Sequence, residues 1–170
     1  MYLLGHLGIG LGIAWLVSRK GRMAVDYRLV LLGAILPDLL DKPLGMALQL
    51  ESRLWAHTLV FVVTVLVVSA VPGLRQAVWV GFGILTHLLL DQIWEQPYVI
   101  LWPTLGWGFP VDGPTVGGFL DVLLRDPVVQ AGEIAGLVVL ILFARANGIR
   151  SWSMLTTFLR TGVAGRASDP

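Results

Sequence analysis

Five apolar runs dominate this chain and restrict it to one kind of fold. They cover about Tyr2 to Ser18, a second run that begins near Leu29 and is interrupted at Pro37, His57 to Val71, Ala77 to Trp94, and Pro127 to Ala144. A helix needs about 20 apolar residues to cross the hydrocarbon of a bilayer. Only helices or closed barrels can satisfy every backbone N–H and C=O there. The chain is 56% hydrophobic and 14% charged, whereas a soluble domain carries about 25% charged residues. The predicted fold class is therefore all-α: an integral membrane helical bundle of about five hydrophobic segments, the second broken at Pro37. The expected membrane domain spans residues 1–145, and residues 146–170 form a polar tail with a short amphipathic piece, "WSMLTTFLR". The Gly-, Pro- and Trp-rich stretch Gln96 to Asp126 reads as a long loop. No basic stretch precedes the first run, so it is expected to be a retained helix and not a cleaved signal.

Cations set the expected orientation. Arg19, Lys20, Arg22 and Arg28 lie in the first connection, Arg75 in the third, and Arg145, Arg150, Arg160 and Arg166 in the tail. If all five runs cross, these fall on one side, and lysines and arginines favour the cytoplasm. The N-terminus, the Glu51/Arg53 connection and the Gln96 to Asp126 loop are then external, and the tail is cytoplasmic. The expected location is the inner cell membrane, with lipid as the surrounding partner. No basic run points to nucleic acid. The absence of cysteine excludes disulfides, thiolate metal sites and cysteine nucleophiles.

On this topology the scarce ionisable residues gather on one side. His6 lies near the outer end of the first run, Asp38 and Asp41 at and beyond the outer half of the second, His57 at the start of the third, and His87 and Asp91 in the outer half of the fourth. All three histidines of the chain belong to this group. In "THLLLDQ", His87 and Asp91 are four apart and share a helix face. Asp38 and Asp41 share one if the helix continues past Pro37. Mixed imidazole and carboxylate donors suit zinc, manganese or iron. Charged groups at membrane depth are functional candidates by default. Plainer roles compete at each position: Asp38 as a cap or a partner of Lys42, Asp91 as a partner of Arg53. Glu133 is either a further site residue or a buried hydrogen-bonding group. "GIGLG" lacks a preceding strand, so it is expected to serve close helix packing and not nucleotide binding.

The elements "GHLGIG", "LPDLLDKPLG", "RLWAHTLVF" and "GILTHLLLDQIWEQPYVILWP" occur in an order that resembles the membrane-bound metal-dependent hydrolases, the YdjM-like proteins. The resemblance covers roughly residues 1–110. His6 matches the family's first histidine. Pro37, Asp38 and Asp41 match its proline-aspartate motif, with Lys42 where a histidine is common. Arg53 and His57 match its next motif, with Ser52 replacing a histidine. His87 and Asp91 match its His-x-x-x-Asp pair. The resemblance implies metal-dependent hydrolysis. His6, Asp38, His57, His87 and Asp91 would then bind a divalent metal ion, zinc first, with manganese or iron as alternatives. Asp41 would be a ligand or general base, and Lys42 and Arg53 would stabilise anionic charge. A phosphoester or lipid-like substrate at the outer leaflet fits cations beside a metal. The alternative is a non-catalytic metal-binding, or ion- or proton-transporting, membrane protein.

Overall fold

Helix α1, Leu3–Gly21, carries the "GIGLG" glycines, and they make it a packing element. The structure, a computed structural model, describes residues 2–50, 52–109 and 116–162. Glu51, Arg166 and residues 110–115 of the expected loop lie outside the described residues. A glycine inside a helix costs about 1 kcal/mol relative to alanine, so it persists where a backbone must come close. A Cβ on Gly8 would overlap the Gly136 backbone of α7, Pro127–Ala146. The small-residue packing expected of "GIGLG" is therefore present.

Helix α2, Tyr27–Leu48, starts on an Asp26 cap and runs without interruption through both Pro37 and Pro43. The break expected at Pro37 is thus absent. A proline inside a helix removes one N–H and crowds the carbonyl four residues back. For Pro37 that residue is Gly33, which has no side chain to add to the crowding. Gly33 also meets Gly83 of α4, Ala77–Leu90, at a crossing too close for a Cβ on either residue. Packing against α4 holds the helix together where the ladder is weakest.

Between them lies α3, Leu59–Ser69, preceded by a 3-10 turn at Trp55–His57 and capped by the Thr58 hydroxyl on the Phe61 N–H. At 1.5 Å per residue, α3 and α4 rise only about 17 and 21 Å, short of the roughly 30 Å hydrocarbon core. Among the described residues, α7 is the helix both long and apolar enough to cross a membrane, while α3 and α4 are shorter apolar helices. The Gln96 to Asp126 stretch is not all loop. It holds a one-turn helix, α5 (Pro97–Ile100), and a longer one, α6 (Val116–Arg125). Asp126 then caps α7, its carboxylate accepting from the Val128 and Val129 N–H groups at 2.8 and 3.2 Å.

The amphipathic tail piece forms α8, Trp152–Thr161. Its Phe158 packs with Leu11, Ala14, Tyr27, Val30 and Phe143 in an apolar core. The Tyr27 N–H donates to the Gly162 carbonyl, tying α8 to the start of α2. A second apolar core, from Val62, Ile84, Leu88, Ile93 and Val99, joins α3, α4 and α5. Outward faces are apolar as well: Val63, Val67, Ile134 and Leu142 are all more than half exposed. The buried polar and charged side chains, by contrast, include His6, Asp41, His57 and His87. A chain with apolar residues outside and imidazoles inside suits lipid, not water, as its solvent.

Candidate metal centre

The three histidines come from three different elements and meet at the ends of the short helices. α1 brings His6, the 3-10 turn before α3 brings His57, and the last turn of α4 brings His87. The His6 and His87 rings stack with centroids 4.0 Å apart, and the His57 and His87 rings meet edge to face at 5.1 Å. Asp91, at the C-terminal cap of α4, lies beside them, and α2 supplies Asp38 and Asp41 one turn apart.

Each histidine is fixed by a partner that decides which nitrogen carries its proton. Nδ1 of His87 lies 2.8 Å from the Ala34 carbonyl oxygen. A carbonyl only accepts, so Nδ1 carries the hydrogen and Nε2 of the neutral ring is a bare lone pair. Nδ1 of His57 lies 2.7 Å from Asp41 Oδ2. The same carboxylate accepts from the Leu54 N–H at 2.7 Å and the Ala56 N–H at 3.2 Å. Nδ1 of His57 is therefore the donor, and its Nε2 is a second lone pair.

These two lone pairs face each other. Nε2 of His57 and Nε2 of His87 are 3.2 Å apart, an arrangement that repels unless a cation or a proton lies between them. Asp38 Oδ1 is 3.8 Å from each Nε2, and Asp91 Oδ2 is 3.9 Å from that of His57. Donor atoms from Asp38, His57, His87 and Asp91 all lie within 4.8 Å of one another. Around a zinc-sized ion with bonds near 2.1 Å, tetrahedral donors stand about 3.4 Å apart. The donor set suits a metal ion in number and type.

The remaining candidates surround this group. His6 Nε2 is 3.1 Å from Asp91 Oδ1, and Arg53 Nε is 2.9 Å from Asp91 Oδ2. Lys42 Nζ is 2.5 Å from Asp38 Oδ2. The plainer roles weighed for Asp38 and Asp91, as partners of Lys42 and Arg53, are thus both realised. Asp41 is buried against His57 and the chain at Leu54 and Ala56. The turn it serves is broken backbone, which at membrane depth must be satisfied from within the protein.

Glu133 is outside the cluster. Its carboxylate accepts from the N–H groups of Tyr2 at 3.0 Å, Leu4 at 2.9 Å and Gly5 at 2.9 Å. It therefore caps α1 from a different helix, meeting orphan donors that Tyr2 at the N-cap does not. The negative charge also sits at the positive end of the helix dipole. A lone acid within the apolar α7 was the only sequence signal of this role.

The family model described as YdjM inner membrane protein matches residues 1–156. The chain belongs to the YdjM inner membrane protein family. No curated protein and no solved structure matches it. Membership of this family places the bundle in a lipid bilayer context, in agreement with its apolar outer faces. The match continues past the fourth helix to α8, well beyond the stretch in which the motifs were legible.

Proposed function

We propose that this YdjM family member is a metal-dependent hydrolase of the inner membrane that cleaves a phosphoester. Its site would lie at the outer leaflet, with the N-terminus external and the C-terminus cytoplasmic. The observation that carries the proposal is the pair of imidazole nitrogens, His57 Nε2 and His87 Nε2, facing each other at 3.2 Å with both Nδ1 atoms already engaged. Asp38 and Asp91 would complete the ligand set, for zinc first, with manganese or iron as alternatives. When bound, such an ion supplies Lewis acidity and lowers the pKa of its water towards about 7.

The other residues take roles that follow from their contacts. Asp41 orients His57 and accepts from three donors, contacts that favour a positioning role over that of a general base. His6 holds one oxygen of Asp91 and leaves the other facing His57. Lys42 and Arg53 are the partly exposed cations of the site, with side chains 28% and 30% exposed, and they suit a phosphoryl group whose charge grows in the transition state. Hydrolysis consumes one water: its oxygen ends on phosphorus and the ester oxygen leaves as an alcohol with a proton. A proton or ion relay fits less well. On α1, α2 and α7 beyond the site, the core is Leu11, Ala14, Tyr27, Val30 and Phe143, and among these described residues there is no carboxylate, histidine or basic side chain to continue a path.

Metal analysis of the detergent-purified protein tests the proposal, combined with hydrolysis of a chromogenic phosphodiester. Bound metal is expected in the wild type, and its loss in His87→Ala and Asp38→Asn. Lys42→Ala should keep the metal and lose turnover. A wild-type protein that takes up none of zinc, manganese and iron on incubation would overturn it.

A further inference from the structure

We infer that the substrate is a membrane lipid with a phosphoester headgroup, which reaches the centre sideways between α1 and α2. This rests on the hydrolase proposal for the site's chemistry, but the observations behind it are separate. A cavity of about 270 Å³ lies between the two helices. Its walls are Tyr2 and Leu3 from the start of α1 and Ile35 and Leu39 from α2. Two residues of the centre, His6 and Asp38, also line it, together with Lys42. It therefore connects the metal cluster to the outer face of the bundle.

Its shape and charge select the ligand. Leu3 and Leu39 are 56% and 61% exposed, so the lips of the cleft are apolar side chains turned towards lipid. The one imidazole that lines it, His6, is almost fully buried, so the cleft passes from hydrocarbon to a polar end at His6, Asp38 and Lys42. At that end Lys42 bonds Asp38 and lies 5.4 Å from the centre of the Tyr2 ring, which places its ammonium across the gap from α1. Pockets that enclose a drug-sized molecule run to about 300–1,000 Å³. This one is smaller, so it takes a headgroup and must leave acyl chains outside, along Leu3 and Leu39. A water-soluble phosphoester has no need of apolar lips, and a neutral lipid has no need of Lys42.

The absence of cysteine in the chain allows a clean test. The single cysteine of Leu39→Cys is labelled with a benzophenone, and the protein is placed in nanodiscs of phosphatidylcholine. The discs are doped with either phosphatidic acid or diacylglycerol carrying the same acyl chains. Photo-cross-linking should favour phosphatidic acid by about tenfold, the factor worth one charge-assisted hydrogen bond. Adding Lys42→Ala should abolish that preference. Equal capture of the two lipids would overturn the inference, because the cleft would then be ordinary lipid-facing surface. So would a preference for phosphatidic acid that survives Lys42→Ala. Metal content is measured on the same samples. Lipid preference without metal would sink the hydrolase proposal alone; metal without lipid preference would sink this inference alone.

Discussion

Removing one oxygen's charge at Asp41 should damage both the fold and the centre, by separable amounts. In Asp41→Asn the amide oxygen can take the place of Oδ2 and keep the Leu54 N–H and His57 Nδ1 as donors. The amide NH2 then replaces Oδ1 and meets the Ala56 N–H, donor against donor. Two charge-assisted bonds become neutral ones, at a cost of about 1 kcal/mol each, and one buried N–H loses its acceptor, at about 1–3 kcal/mol. The expected loss is about 3–5 kcal/mol. Groups that orient a ligating histidine typically cost 10–100-fold in metal affinity when changed, so about that loss is expected here. The assays are an unfolding midpoint in detergent, followed by circular dichroism, and a competitive zinc titration. A stability loss with unchanged metal affinity would show that Asp41 serves only the backbone at Leu54 and Ala56. No change in either would refute the account of this carboxylate altogether.

Other substitutions probe the scaffold. Glu133→Ala removes three acceptor contacts from the start of α1 and should cost about 2 kcal/mol, the upper range for a cap; Glu133→Gln should lose less, and equal unfolding midpoints for all three proteins would contradict the cap. Gly33→Ala places a methyl against the Val80 carbonyl and should cost about 1–3 kcal/mol, with weaker metal binding because the same crossing holds His87 against Ala34. At Asp26 the Arg28 side chain, by hydrogen bonding, holds the carboxyl below its ordinary range. A lowered folded pKa means that the contribution is complete above about pH 4, the unfolded value, and fades as pH falls through the folded one. Asp26→Asn should therefore destabilise at pH 7 and match the wild type in strong acid, which unfolding curves at the two pH values will check.

The sequence revealed which residues meet but not how they are held. Convergence was legible because ionisable groups are rare in an apolar chain: three histidines with three aspartates on one side stand out against leucine and valine. The i, i+4 spacing of His87 and Asp91 also carried over directly. Pro37 misled because a proline's effect depends on what packs against the helix, and the Gly33–Gly83 crossing is a contact between segments far apart in sequence. Asp41 was hidden for a similar reason. Its partners are two backbone N–H groups of a turn more than ten residues away, and backbone groups leave no residue-type signal. α6 was missed because Gly117 and Gly118 near its start, in a Gly- and Pro-rich stretch, mask the amphipathic "FLDVLLR" that follows.

One departure from the family motifs, Lys42, bears on the charge of the centre. Lys42 takes the place of a common ligand, yet its ammonium lies against Asp38, and Arg53 does the same for Asp91. Three carboxylates, Asp38, Asp41 and Asp91, face two cations, so with neutral imidazoles the side chains of the centre sum to a net charge of −1. That is a modest burden for a buried site, since an unpaired acid at mid-bilayer costs about 2.5–3.5 kcal/mol even on insertion scales. Adding a divalent ion turns −1 into +1. A histidine at position 42 in place of the lysine would give a neutral loaded centre with one more ligand. On the function proposed above, the lysine exchanges a donor to the metal for a positive charge on the loaded site, and a positive site open to the cleft between α1 and α2 would draw in a phosphate.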